Sequence, residues 1–325
     1  MKLTKEQIFS IARGVENVEF EGDFFRFYRY TKGQINALFQ AKKKPASHKR
    51  IFTTASVRLA FSTDATFLKL TVLANSIHPQ VWFDIWEQGM LSYHIPVETG
   101  KEVTVEVALL AGKKTVEIYF PWNCPTYLSG IELNDGASLT PVRRKNRLVA
   151  YGDSITQGFY AACPSQSYAN ILARGLDAEI VNKGFGGDCF FPGLVDGAAE
   201  DDPDFVTAAY GTNDWAMRTY PDFQRRCRGF MESLRTKYPN AKVFIITPLW
   251  RGDGNEEKEM GFPAEKMHDA IAEICKDFPE FHLICGQELI PRERDCYGDD
   301  HCLHPSDKGF AYYGENLLAK IKEVL

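Results

Sequence analysis

The sequence has no run of apolar residues approaching the ~20 that a helical membrane span requires, which excludes an integral membrane helix. Its opening, MKLTKEQIFSIARGVENVEF, holds no apolar core of secretory length, so the chain reads as cytoplasmic. It contains no Cys-x-x-Cys pair. The eight cysteines (124, 163, 189, 227, 275, 285, 296 and 302) are scattered, which argues against a zinc ribbon and a disulfide framework and for free thiols. A basic stripe with interleaved aromatics is also missing. With 38 Lys+Arg against 43 Asp+Glu the formal net charge is −5, and no nucleic-acid partner is expected. The one basic cluster, AKKKPASHKR (41–50), reads as a solvated loop. No internal repeat and no low-complexity stretch appears.

What is present is a chain of 325 residues, 44% hydrophobic and 25% charged. That length suggests roughly two domains of a globular protein. The pattern changes near residue 140. Before it, SVRLAFS, TFLKLTVLA, VWFDIWEQG, EVTVEVALL and KTVEIYFP are short and mostly alternate apolar with polar residues. Such strands predict an antiparallel β-sandwich over residues 1–142.

After GASLTPVRRKN the pattern becomes strand, helix, strand. RLVAYGDS, AEIVNKG, DFVTAAYGTND, KVFIITPLW and FHLICG read as strands. SQSYANILARGL, PDFQRRCRGFMESLRTKYP, FPAEKMHDAIAEICKDF and DKGFAYYGENLLAKIKEVL read as helices. This alternation predicts an α/β domain over 146–325, a parallel sheet with helices on both faces. Ligands of such sheets bind outside the carboxyl ends of the strands.

Four turns fall at that edge. They carry Gly152-Asp153-Ser154, the glycines of NKGFGGD (184, 186 and 187), Asn213 of YGTND, and His304-Pro305. Each has an ordinary explanation: a helix cap, a tight turn, an Asx turn, a surface histidine. Together they fit acyl transfer, which needs a nucleophilic hydroxyl, a base for its proton and donors aimed at the developing oxyanion. Ser154 can attack and His304 can take the proton. Backbone N–H groups of the glycine-bearing turns and the Asn213 amide can hold the oxyanion. Trp215 and Trp250, close to motif strands, either wall a small pocket or belong to the core.

The order GDSITQG, GFGGD, GTND and HP resembles the SGNH (GDSL-type) hydrolase superfamily over roughly residues 146–325. The resemblance implies a three-layer α/β/α fold, Ser154 as nucleophile, Gly187 and Asn213 with the Ser154 backbone N–H as the oxyanion hole, and His304 as base. Sandwich strands ahead of such a domain are similar in layout to some bacterial carbohydrate esterases with a jelly-roll module. The family places Asp three residues before the histidine, where this chain has His301. Asp300 or Asp299 can serve if the loop curls. The alternatives are solvated loop charges, or a Ser-His dyad whose ring is held by a backbone carbonyl. The expected activity is removal of a small acyl group, acetyl in the first place, from a carbohydrate or other polar ester, without cofactor or metal. A long-chain lipase, thioesterase or acyltransferase is the first alternative. A carbohydrate-binding protein with a decayed site is the second. A metal hydrolase is disfavoured because His301 and His304 lack further ligands at a familiar spacing. The sequence specifies no oligomeric state.

Overall fold

In FLKLTVLA every second residue is buried, so Leu68, Leu70, Val72 and Ala74 line one face of the strand Phe67–Ala74. The same rule builds two antiparallel sheets in the computed structural model, which describes residues 1–41 and 45–325. One sheet runs Ala12–Arg13, Arg58–Thr63, Lys114–Tyr119, Gln80–Glu87, Met90–Glu98, with Thr140–Pro141 also paired to Arg58–Thr63. The other runs Asn17–Glu21, Phe24–Tyr28, Thr126–Leu133, Phe67–Ala74, Glu102–Ala108. A continuous core of Phe25, Phe61, Leu70, Phe83, Ile118 and Ile131 fills the space between them.

The third sheet is parallel, in the order Ala178–Gly184, Asn146–Gly152, Phe205–Ala209, Lys242–Ile246, His282–Ile284. Leu148, Val149, Ala150 and Tyr151 are all buried because helices cover both faces. Val149 and Tyr151 face helices Tyr220–Lys237 and Met267–Cys275. Leu148 and Ala150 face Tyr168–Gly175 and Asp307–Lys322. The first strand in sequence, Asn146–Gly152, lies between the second and the third. Its two neighbours are reached on opposite sides, so a crevice opens at its carboxyl end. Ser154 lies two residues beyond that end.

The N-terminal half is not made of strands alone. Helix Lys5–Ile11 starts with a capping box between Thr4 and Gln7, and helices Lys32–Ala41 and Pro45–Ile51 follow the first hairpin. The basic stretch 41–50 was expected to be a solvated loop; from Pro45 onward it is helical, and residues 42–44 lie outside the described part. This excursion leaves the sandwich and packs on the parallel sheet. Tyr30, Leu38 and Ile51 join the core that contains Val149, Tyr151 and Phe190. Arg29, fully buried, donates to the carbonyls of Thr53 (2.7 Å) and Asn182. Lys183, also buried, reaches Glu16 Oε1 at 2.5 Å and Gln34 Oε1 at 2.9 Å. Among the described residues no helix is long and apolar enough to cross a membrane.

Candidate active site

The strand Asn146–Gly152 stops because the next turn must fold back against it. A Cβ on Gly152 would stand 1.9 Å from Thr156 Oγ1, so only glycine admits this close approach. Asp153 caps the short helix Ser154–Gln157, its Oδ1 accepting from the Ile155 N–H at 2.9 Å. Burial pushes the Asp153 carboxyl up to about 7.

Ser154 Oγ lies 2.7 Å from His304 Nε2. On the far side of the ring, Nδ1 hydrogen-bonds Asp300 Oδ2, and the His304 backbone N–H donates to Asp300 Oδ1 at 3.3 Å. The loop makes this reach across four residues by an uncommon backbone path. His301 (φ 59°) and Cys302 (φ 55°) both adopt left-handed conformations. The His301 carbonyl is held by the Gly252 N–H at 2.8 Å, and the Gly298 N–H donates to the His304 carbonyl at 2.8 Å. Asp299 points the other way: it is exposed and paired with Arg294. His301 is exposed and contributes its backbone, not its ring, to this arrangement.

With Nδ1–H committed to Asp300, Nε2 is left as the acceptor for the Ser154 hydroxyl. Burial holds the His304 imidazole below its ordinary pKa, and Asp300 pulls it partly back up. A pKa held below the ordinary imidazole value favours the neutral ring that a base requires. Phe159 and Tyr160 cover it, with centroids at 4.7 and 5.7 Å. Tyr160 lies nearly parallel to it, held at φ 76°, a costly conformation for a bulky side chain.

Gly187 has φ 79° in the tight turn that follows Ala178–Gly184. Gln157, from the Ser154 helix, accepts the Gly186 N–H at 2.8 Å. Asn213 starts from the opposite side. It lies in the first turn of helix Thr212–Met217 and donates through Nδ2 to the Asp188 carbonyl at 2.9 Å. Gln157 and Asn213 thus tie three of the four turns into one unit. Arg251 braces the Asn213 helix through Thr212 Oγ1 at 2.8 Å. Asp214, buried beneath it, is also pushed up to about 7 by desolvation.

Of the two tryptophans singled out in the sequence, Trp215 is core: it is fully buried and donates to the Phe262 carbonyl at 2.7 Å. Trp250 packs its edge on Tyr297 and is partly buried. The aromatic wall comes instead from Phe159, Tyr160 and Trp122, the last supplied by the sandwich side and bonded to the Ala161 carbonyl at 2.8 Å. Phe159 and Tyr160 directly follow GDSITQG, which is the one sequence signal that could have found them. Two cavities meet at Phe159, Trp122, Asn123 and His78. One, of about 930 Å³, runs between the sandwich and the parallel-sheet turns and touches Gln157 and Gly186. The other, of about 490 Å³, lies against Tyr160 and Trp82. Asp84, His94 and Cys163 place ligand atoms within 4.8 Å of one another, at the spacing of a metal site. Asp84, however, already accepts from the Ser165 N–H at 2.8 Å and meets His94 at 2.6 Å, and neither His301 nor His304 belongs to the group.

The GDSL-like lipase/acylhydrolase family matches residues 150–312. Among solved structures, the chain is similar to the salicylyl-acyltransferase SsfX3 from a tetracycline biosynthetic pathway, at 20% identity and TM-score 0.85 over 96% of this chain and 94% of that one. It is similar to a protein from Bacteroides ovatus ATCC 8483 described as a GDSL-like lipase, at 20% identity and TM-score 0.75 over 100% and 97% of the two chains. It also resembles a family two carbohydrate esterase from Clostridium thermocellum, at 19% identity and TM-score 0.67 over 84% and 93%. These likenesses extend the shared fold through the N-terminal sheets. No curated protein matches the chain.

Proposed function

The chain belongs to the GDSL-like lipase/acylhydrolase family, and from that premise we propose that it is a serine esterase removing a small acyl group, acetyl in the first place, from a carbohydrate or other polar ester. The observation that carries the reading is the hydrogen-bonded sequence Ser154, His304, Asp300 at the carboxyl end of the parallel sheet. It also speaks against a decayed site, because Ser154 Oγ, both His304 ring nitrogens and the Asp300 carboxylate are joined in the order that catalysis needs.

In the proposed reaction Ser154 Oγ attacks the ester carbonyl while His304 Nε2 takes its proton. The Asp300 carboxylate stabilises the imidazolium that results and fixes its tautomer. The negative charge on the carbonyl oxygen falls to the backbone N–H groups of Ser154 and Gly187 and to Asn213. An amide nitrogen carries two donors. One is spent on the Asp188 carbonyl, leaving the other for the oxyanion. Collapse expels the alcohol, which takes the proton from His304, and leaves an acyl-serine. A water molecule then attacks the acyl-serine with His304 as base, and the acid leaves.

The test is Ser154→Ala with p-nitrophenyl acetate and a panel of acetylated sugars. Turnover should vanish while the fold persists, since the cap is Asp153 and the alanine removes only the Oγ hydrogen bond to His304, worth ~1 kcal/mol. A fluorophosphonate should label Ser154 alone. Folded protein that hydrolyses no acetate ester, or an alanine variant with full activity, would sink the reading.

The second cavity favours a variant of it, in which an alcohol in place of water receives the acyl group. Two spaces meet at Phe159, which packs on the His304 ring, and although Ser154 lines neither, together they offer room for an acceptor beside the ester. Added alcohols that divert the acyl-serine to a new ester at the expense of acid would identify that route.

A further inference from the structure

The larger cavity has a charge pattern that acyl chemistry alone does not require. Among the described residues its lining includes Arg26, Lys49 and Arg50 and no aspartate or glutamate, in a chain whose formal net charge is −5. Arg26 is partly used, since it pairs with Glu21 at 2.9 Å. Lys49 and Arg50 have no carboxylate partner among the described residues. Arg50 is aimed: its Nη1 donates to the Gly186 carbonyl at 2.7 Å, and a Cβ at Gly187 would lie 3.6 Å from the same nitrogen. The guanidinium therefore stands beside the proposed oxyanion turn with further N–H groups to spare. Flat rings, Tyr28, Phe52, Trp122, Tyr127 and Phe159, make up much of the rest of the lining.

We propose that this cleft selects an ester whose bound portion carries a carboxylate or phosphate, held by Lys49 and Arg50 against an aromatic floor. The inference rests on the esterase reading and narrows its substrate class. It also gives a use to the C-terminal end of AKKKPASHKR, the basic stretch that the catalytic turns leave unexplained. A guanidinium matches carboxylate or phosphate oxygens through paired N–H donors. The rings can stack on the apolar body that bears the anion. Because Lys49 and Arg50 are exposed at their outer ends, the attraction is open to salt.

The test compares 4-acetoxybenzoate with its neutral methyl ester, placing the anion on the alcohol half. Monophenyl succinate compared with its methyl ester places it on the acyl half. Each rate is divided by that for hydroxide. At least one anionic member should be preferred about tenfold in kcat/KM, through KM, and the preference should shrink at 0.5 M salt. Lys49→Gln and Arg50→Gln should each remove most of that preference. Equal kcat/KM within both pairs overturns the inference while leaving the esterase reading intact. So does an Arg50→Gln variant that loses kcat equally on charged and neutral esters, since the guanidinium would then serve the oxyanion. If no ester is hydrolysed, the esterase reading fails, and the cleft is judged by calorimetry on the full chain. There 4-hydroxybenzoate should bind at least tenfold tighter than methyl 4-hydroxybenzoate, and equal binding overturns the proposal.

Discussion

Neutralising Asp300 is the sharpest probe of how His304 is held. Asp300→Asn keeps the size of the side chain and removes its charge. Two things follow at the ring. The carboxylate that accepts Nδ1–H becomes an amide able to donate, which favours the tautomer carrying its proton on Nε2. That nitrogen, 2.7 Å from Ser154 Oγ, can then no longer take the serine proton. The imidazolium formed during attack also loses its counter-charge. Loss of a triad aspartate in this way costs ~10⁴ in kcat, or about 5 kcal/mol of transition-state stabilisation. The pH profile supplies a second readout. Burial lowers the His304 pKa and Asp300 raises it. Removing Asp300 should therefore move the acid limb of kcat/KM to lower pH while the plateau collapses. The assay is p-nitrophenyl acetate hydrolysis from pH 4 to 9, with Asp299→Asn as control. Asp299 pairs with Arg294 and is exposed, so its variant should stay within a few-fold of wild type. Asp300→Asn activity within a few-fold of wild type, or equal losses in the two variants, would refute the reasoning.

Asn213→Ala should lower kcat by ~10²–10³ with little change in KM, because in the proposed mechanism its second N–H serves charge present only in the transition state; an effect confined to KM would reassign it to substrate binding. Residues 146–325 expressed alone should melt lower than the full chain or fail to fold, because the core around Val149, Tyr151 and Phe190 loses Tyr30, Leu38 and Ile51 and its apolar surface is opened to water; an unchanged melting temperature would contradict this. Asp214, whose folded pKa of about 7 stands above its unfolded value, binds its proton more tightly in the native state. Its contribution to stability is thus present below about pH 4 and is lost as pH rises through 7. Asp214→Asn should shrink the fall in Tm between pH 5 and pH 8, and an undiminished fall would count against the assignment.

What the sequence displayed and what it hid follow from burial geometry. Phe67–Ala74 and Gln80–Glu87 bury one face or more, so their apolar residues stand out. Met90–Glu98 is an edge strand whose one buried residue is Val97, and Asn17–Glu21 buries none fully, so neither shows a clear period. Helix Lys32–Ala41 docks through Gln34, Ile35 and Leu38, and its apolar stripe of Ile35, Leu38 and Phe39 spans little more than one turn, too short to read against the polar residues around it. The candidate site residues Ser154, Gly187, Asn213 and His304 could be read from the sequence because each sits in a short motif at a strand end. The path from Asp300 to His304 depends on left-handed backbone at a histidine and a cysteine, two residue types that carry no signal for it. Arg50 was legible only as part of a charge cluster, because its position beside Gly186 is set by a contact across 136 residues.

The excursion through Arg29–Ile51 has a consequence for the growing chain. The sandwich strands can pair once residue 141 has emerged, but Arg29 must wait for the Asn182 carbonyl, 153 residues further on. At 5–20 residues per second that interval lasts roughly 8–30 s. Throughout it, Tyr30, Leu38 and Ile51 have no core to enter and the Arg29 guanidinium lacks its Asn182 acceptor. The nascent chain therefore carries a temporary apolar and cationic hook, which is drawn in only when the first two strands of the parallel sheet are complete.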